Sequence, residues 1–255
     1  SRGLGDVYKR QSIYNDMIQK FIIQEKHPRL LLFFAGWGAD ETPFKGYRPA
    51  NSDFMICYDY RNLSFDSQVL KDYEEVNVVG WSMGVWAASQ VLGKIIAGET
   101  SKNSRLPLGK TIAINGTPFP IDEERGIPPA IYHGTLEGLT DASLHKFLRR
   151  MCTDSAAFRK FLAITPRRPL EELREELAAI ETAYTTGPAY PFGWSTSVIA
   201  TEDRIIPSEN QKKAWTRDER STPFLAEAHI LIRIETAHYA QELFEIYLEK
   251  EWTKD

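Results

Sequence analysis

The apolar positions of this chain fall into short continuous runs separated by longer stretches with helical spacing. Leu30-Leu31-Leu32-Phe33-Phe34 is uninterrupted and ends at Ala35-Gly36-Trp37-Gly38. That pattern predicts a parallel strand covered on both faces and broken by a glycine loop. Phe54-Met55-Ile56-Cys57-Tyr58, Val76-Asn77-Val78-Val79, Thr111-Ile112-Ala113-Ile114-Asn115, Ser197-Val198-Ile199-Ala200 and Ile230-Leu231-Ile232-Arg233-Ile234 repeat it, and Phe21-Ile22-Ile23 is strand-like near the N-terminus. Helical spacing follows the Val76 run from Val85 to Ala97, and Tyr239 to Trp252 reads as a closing helix. Strands alternating with helices predict an α/β chain with a mostly parallel sheet.

Residues 119–192 break this rhythm. Ser143 to Arg150 and Ser155 to Ile164 have apolar residues at helical spacing, and Pro169 to Tyr184 carries Leu170, Leu173, Leu177 and Ile180 on one stripe. A proline just inside a helix start is pre-organised for it, and a single stripe marks a surface helix. Pro166, Pro169, Gly187, Pro188 and Pro191 punctuate the segment. It is therefore expected to form a helical lid (119–192) over a core made of 17–118 and 193–255. Asp6-Val7-Tyr8-Lys9-Arg10-Gln11 looks like translated sequencing-adaptor sequence, so residues 1–16 are expected to be a non-native, poorly ordered leader with Met17 as the natural start.

Composition narrows the class. A chain of 255 residues, 42% hydrophobic and 26% charged, suits one globular α/β unit with an ample core. The net charge of -4 argues against a general nucleic-acid binder while leaving room for local patches. Cys57 and Cys152 form no Cys-x-x-Cys pattern, and a reduced, cytoplasmic setting is expected. No apolar stretch approaches the roughly 18 residues of a membrane helix, and the N-terminus lacks a signal peptide's apolar core.

Chemistry enters at Gly80-Trp81-Ser82-Met83-Gly84, which fits G-x-S-x-G between a β-branched run and a helix. That motif sets a serine on a sharp strand-to-helix turn, with glycines where a side chain would strike neighbouring backbone. A serine hydroxyl needs an imidazole to take its proton and an acid to hold that imidazole in the right tautomer. In such a chain the order is Ser, then acid, then His. His133 and His145 belong to the lid segment, and His229 stands at the start of its strand. His238 follows that strand, at the carboxyl edge where open parallel sheets bind ligands. Ala200-Thr201-Glu202-Asp203-Arg204-Ile205-Ile206-Pro207 offers the acid, with Asp203 preferred and Glu202 and Glu235 as substitutes. The oxyanion formed on attack needs backbone N–H donors from the residue after the nucleophile and from the loop after the first core strand, positions held by Met83 and Trp37.

With these residues located, the chain resembles the pimeloyl-[acyl-carrier protein] methyl ester esterases of the BioG type, a branch of the α/β-hydrolases. The resemblance rests on Leu31-Leu32-Phe33-Phe34-Ala35-Gly36-Trp37-Gly38, the Gly-Trp-Ser-Met-Gly elbow, and Ile114-Asn115-Gly116-Thr117-Pro118 continuing to Gly126-Ile127-Pro128. Ala35-Gly36 stands where many relatives have His-Gly, which changes loop support and leaves the donor in place. The resemblance implies an α/β-hydrolase fold and a step of biotin synthesis in which the methyl ester of a carrier-bound pimeloyl chain is hydrolysed to the free acid and methanol, without metal or redox cofactor. It implies an acyl carrier protein as partner.

The lid bears on the same partner. From His145 to Arg168 it carries Lys146, Arg149, Arg150, Arg159, Lys160, Arg167 and Arg168 against Asp154, on a chain that is acidic overall. Such a patch could steer an acidic carrier, or be an ordinary solvated helix face. Phe147, Phe158 and Phe161 are expected to line an acyl channel or to pack the lid onto the sheet, with packing preferred. A broad carboxylesterase, a thioesterase and a non-catalytic ligand-binding relative remain as alternatives.

Overall fold

The computed structural model describes residues 16–98, 106–216 and 228–253; the expectation for the leader lies outside them except at Asp16. The strands are β1 (Ile18–Ile23), β2 (Arg29–Phe34), β3 (Ser52–Tyr58), β4 (Glu75–Trp81), β5 (Leu108–Ile114), β6 (Trp194–Ala200) and β7 (Ala228–Ile234). They form one sheet in the order β1-β3-β2-β4-β5-β6-β7, in which β1 is antiparallel to β3 and every other pair is parallel. The uninterrupted apolar runs account for its centre. Every residue of β3 is buried, as is β2 from Leu30 onward, because both faces are covered. The edge strand β7 is half-buried at best.

Helix α1 (Met83–Ile96) follows β4 with no intervening loop beyond Ser82. Between β5 and β6 stand α2 (Pro129–Glu137), α3 (Asp141–Met151), α4 (Ser155–Leu162) and α5 (Leu170–Thr186). Their ends are written in the sequence. Thr140 caps α3 in a reciprocal box with Ser143, and the Asp154 carboxylate accepts from the amides of Ala156 and Ala157 at the start of α4. Those amides hold the Asp154 carboxyl below its ordinary range. Leu173, Leu177 and Ile180 of α5 are buried as the stripe predicts, each contributing about 1.5–3 kcal/mol.

Helix α6 (Ser208–Trp215) precedes β7, and α7 (Gln241–Tyr247) follows it, with a 3-10 turn at Lys250–Thr253 beyond. Three features depart from the sequence-based expectation. Helix α2 buries only Tyr132, and α6 buries Gln211, Ala214 and Trp215, so neither displays an apolar stripe. The closing helix is shorter than Tyr239 to Trp252: the Tyr239 amide donates to the Met151 carbonyl (2.8 Å) and Ala240 is extended, so the chain turns helical only at Gln241. Phe158 and Phe161 are buried as expected, whereas Phe147 is half-buried and faces cavities.

Candidate active site

Ser82 occupies the single residue between β4 and α1, with φ 56° and ψ −125°. A non-glycine residue in that conformation stores roughly 1–3 kcal/mol of strain and persists only where its surroundings enforce it. The enforcing contacts are visible. The Ser82 amide donates to the Ile114 carbonyl (2.9 Å) and the Val85 amide to the Ser82 carbonyl (3.1 Å). A Cβ on Gly84 would collide with the Phe34 carbonyl, and one on Gly116 with the Ser82 carbonyl. The glycines of the two motifs therefore let neighbouring strand ends close around one serine.

The acid and the imidazole meet behind it. Asp203 Oδ2 lies 2.8 Å from His238 Nδ1, and both side chains are essentially inaccessible. Asp203 Oδ1 accepts from the amides of Ile205 (2.7 Å) and Ile206 (3.0 Å), and Oδ2 also accepts from Gln211 Nε2 (2.8 Å). These donors satisfy both oxygens of the carboxyl group and fix its direction. Glu202 and Glu235 are exposed. Among the other histidines, His133 pairs with Glu181 (2.6 Å), His145 lies edge-on to Phe158, and His229 is exposed on β7. Among the described residues no hydrogen bond joins Ser82 Oγ to the His238 ring; such bonds are often long before substrate binds.

Asn115 connects the two halves. It sits in the left-handed region, φ 46°, which asparagine tolerates better than most residues. Its Nδ2 donates to the His238 carbonyl (2.9 Å), and its Oδ1 accepts from the Ala200 amide (2.7 Å) just before the Asp203 loop. The Trp81 indole donates to the same His238 carbonyl (3.1 Å), and its ring lies 5.4 Å from the imidazole. Sequence reasoning marked Asn115 only as a motif residue and missed Gln211 altogether. A buried glutamine on a weakly amphipathic helix carries no distinguishing local signal.

Ser82, Met83 and Trp37 line one narrow cavity of about 470 Å³, together with Phe147 of α3 and Leu177 of α5. Among the described residues the amides of Trp37 and Met83 are taken up by no turn or cap hydrogen bond, and Met83 is the first residue of a helix, where amides point outward toward negative charge. Trp37 and Phe147 meet edge to face at 5.1 Å. Both also line a second, apolar cavity of about 510 Å³ between Phe44, Leu144, Leu173 and Tyr239.

The basic residues of the helical segment separate into two groups. Lys146, Arg150, Arg159, Lys160 and Arg167 are exposed and Arg149 is half-buried, and Arg150 and Arg204 stand at the Ser82 cavity. Arg168 does not belong with them. Its side chain is 6% exposed and pairs inward with Glu176 (2.7 Å) and Asp59 (3.0 Å), so it is withdrawn from the docking surface expected of it.

Comparison with known proteins places the chain. A family model described as pimeloyl-ACP methyl esterase BioG matches residues 17–241. The crystal structure of BioG from Haemophilus influenzae superposes with a TM-score of 0.73 at 35% identity, covering 88% of this chain and 94% of that one. A Bacteroides fragilis protein named malonyl-[acyl-carrier protein] O-methyltransferase is 56% identical over 187 residues, 73% of this chain, but the chain spans only 36% of its length. A bromoperoxidase from Bacillus anthracis, 14% identical with a TM-score of 0.58, covering 94% of this chain and 95% of its own, shares the fold alone. The parallel sheet, its order and its serine turn are those of an α/β-hydrolase, and the chain belongs to the BioG family of pimeloyl-ACP methyl esterases.

Proposed function

We propose that this protein hydrolyses the methyl ester of pimeloyl-[acyl-carrier protein] methyl ester, with Ser82 as nucleophile, His238 as general base and acid, and Asp203 orienting the imidazole. The observation that carries the reading is the strained Ser82 turn set at the same sheet edge as a buried Asp203–His238 pair. His238 takes the Ser82 proton as Oγ bonds to the ester carbonyl carbon. The oxyanion is met by the Trp37 and Met83 amides. Methoxide leaves with the proton from His238, and water deprotonated by His238 then cleaves the acyl-serine ester, freeing the carboxylate and restoring Ser82.

Carrier recognition draws on the exposed Lys146, Arg150, Arg159, Lys160 and Arg167 and the half-buried Arg149, of which Arg150 lines the Ser82 cavity, on an otherwise acidic chain. The Bacteroides fragilis relative supports a carrier-bound methyl ester by its chemistry. An O-methyltransferase acting on a carrier-linked dicarboxylate makes the kind of bond that an esterase removes, and this chain corresponds to only part of that protein.

Ser82→Ala is expected to lower kcat by on the order of 10⁶-fold on carrier-bound methyl ester, read by mass spectrometry of the intact carrier. Retained turnover rejects Ser82 as nucleophile. Exchange of methyl for hydrogen with the acyl chain still on the carrier supports the esterase; release of free carrier identifies a thioesterase, and equal rates on free methyl pimelate a broad carboxylesterase.

A further inference from the structure

The stripe of α5 that faces the core carries one residue out of character. Glu176 is fully buried between Leu173 and Leu177 on the same helix face. A buried carboxylate is costly unless its oxygens are all engaged, and these are engaged by Arg168, by the loop that carries Trp37 and by the loop after β3. Glu176 Oε1 accepts from the Tyr60 amide (2.8 Å), and the Tyr60 hydroxyl donates to the Ala35 carbonyl (2.6 Å), two residues before Trp37. Glu176 Oε2 accepts from the Gly38 amide (3.4 Å), one residue after Trp37, and from Arg168 Nη1 (2.7 Å). Gly38 has φ +74°, a left-handed turn that glycine adopts without strain. The Trp37 indole itself donates to the Leu173 carbonyl, one turn earlier on α5 (2.9 Å).

The Trp37 peptide is thus held on both sides by bonds that converge on one carboxylate. We infer that Glu176 is a positioning residue for the oxyanion donor: it aims the Trp37 amide at the developing charge without touching substrate. The inference rests on the nucleophile reading above. Arg168 keeps the carboxylate in place, itself balanced by Asp59 at 3.0 Å, off the hydrogen-bonding direction, and by Glu172 at 3.7 Å. Burial pushes the Glu176 carboxyl above its ordinary range, while the Arg168 guanidinium and the Tyr60 amide pull it down.

A donor moved off its target costs rate and leaves ground-state binding alone. The test compares wild type, Glu176→Gln and Glu176→Leu in kcat, KM and affinity for a boronic acid that forms a tetrahedral adduct on the serine, with thermal melts to select folded protein. Glu176→Leu is expected to lower kcat about 100-fold with KM within twofold, and to weaken the boronic acid by a similar factor. Glu176→Gln keeps one acceptor and the side-chain shape, so it should recover part of the loss, and it serves where the leucine variant fails to fold. Folded variants with unchanged kcat and unchanged boronic-acid affinity overturn the inference, as does a fall in kcat with no fall in that affinity. A Ser82→Ala protein that keeps its turnover instead removes the reading beneath it, so the two failures are distinguishable.

Discussion

Two sets of charges share the helices between β5 and β6, and they obey different physics. Arg159, Lys160 and Arg167 stand in water, where a charge interacts weakly, is screened by salt and is free to meet a partner. Arg168, next in sequence to Arg167, turns inward to Asp59 and Glu176, which are 1% and 0% exposed at their side chains. Arg61 extends that cluster, bonding Asp59 (2.6 Å) and Glu175 (2.9 Å), and the Asp59 carboxylate chiefly raises its pKa. Neighbours in the chain thus divide into a surface open to solvent and a joint that holds. A run of basic residues is no guide to which is which.

The largest expected effect falls on the joint. Arg168→Met leaves Glu176 buried without its counter-charge, while Asp59 keeps Arg61, and should cost about 3–5 kcal/mol in urea unfolding. Pairing it with Glu176→Leu should recover part of that loss, since an apolar replacement removes the stranded charge. A loss below about 0.5 kcal/mol for the single change, the usual range for a surface substitution, would erase the distinction.

Charge reversal on the surface should do the opposite. Arg149→Glu with Arg159→Glu is expected to leave stability within about 1 kcal/mol, while the ratio of kcat/KM on carrier-bound to free methyl ester falls about tenfold. An unchanged ratio would remove the docking role. The smallest effect is ionic: raising salt from about 0.05 to about 0.5 M should lower kcat/KM for the carrier-bound ester a few-fold, chiefly through association, and leave the free ester nearly unaffected. Equal salt sensitivity of both substrates would place the effect at the cavity instead.

The sheet was legible because buried parallel strands must be apolar on both faces, and β2 and β3 are written as unbroken runs. The elbow was legible because close backbone approach leaves only glycine at Gly84 and Gly116. Asp203 and His238 followed from their places after β6 and β7 at the sheet's carboxyl edge. What escaped was the long-range partnership. Glu176 reads as one more acid on an acidic helix, and nothing local says that Tyr60 and Gly38 will present their amides to it from distant loops. Arg168 escaped for the same reason: its partner Asp59 follows β3, 109 residues earlier by their numbers. Helices α2 and α6 lack the periodic stripe that marks their neighbours.

The bond from the Tyr239 amide to the Met151 carbonyl and that from the Trp37 indole to the Leu173 carbonyl tie the end of α3 and the first turns of α5 to the loops that carry His238 and Trp37. These helices are therefore no detachable cover. A chimaera that received them from a relative would inherit new spacing between positions 151 and 173 and would misplace both loops at once. Charge changes on the outer face of α4, where Arg159 and Lys160 look into solvent, leave both anchor points untouched. The outer surface can therefore be altered without moving the two loops beneath it.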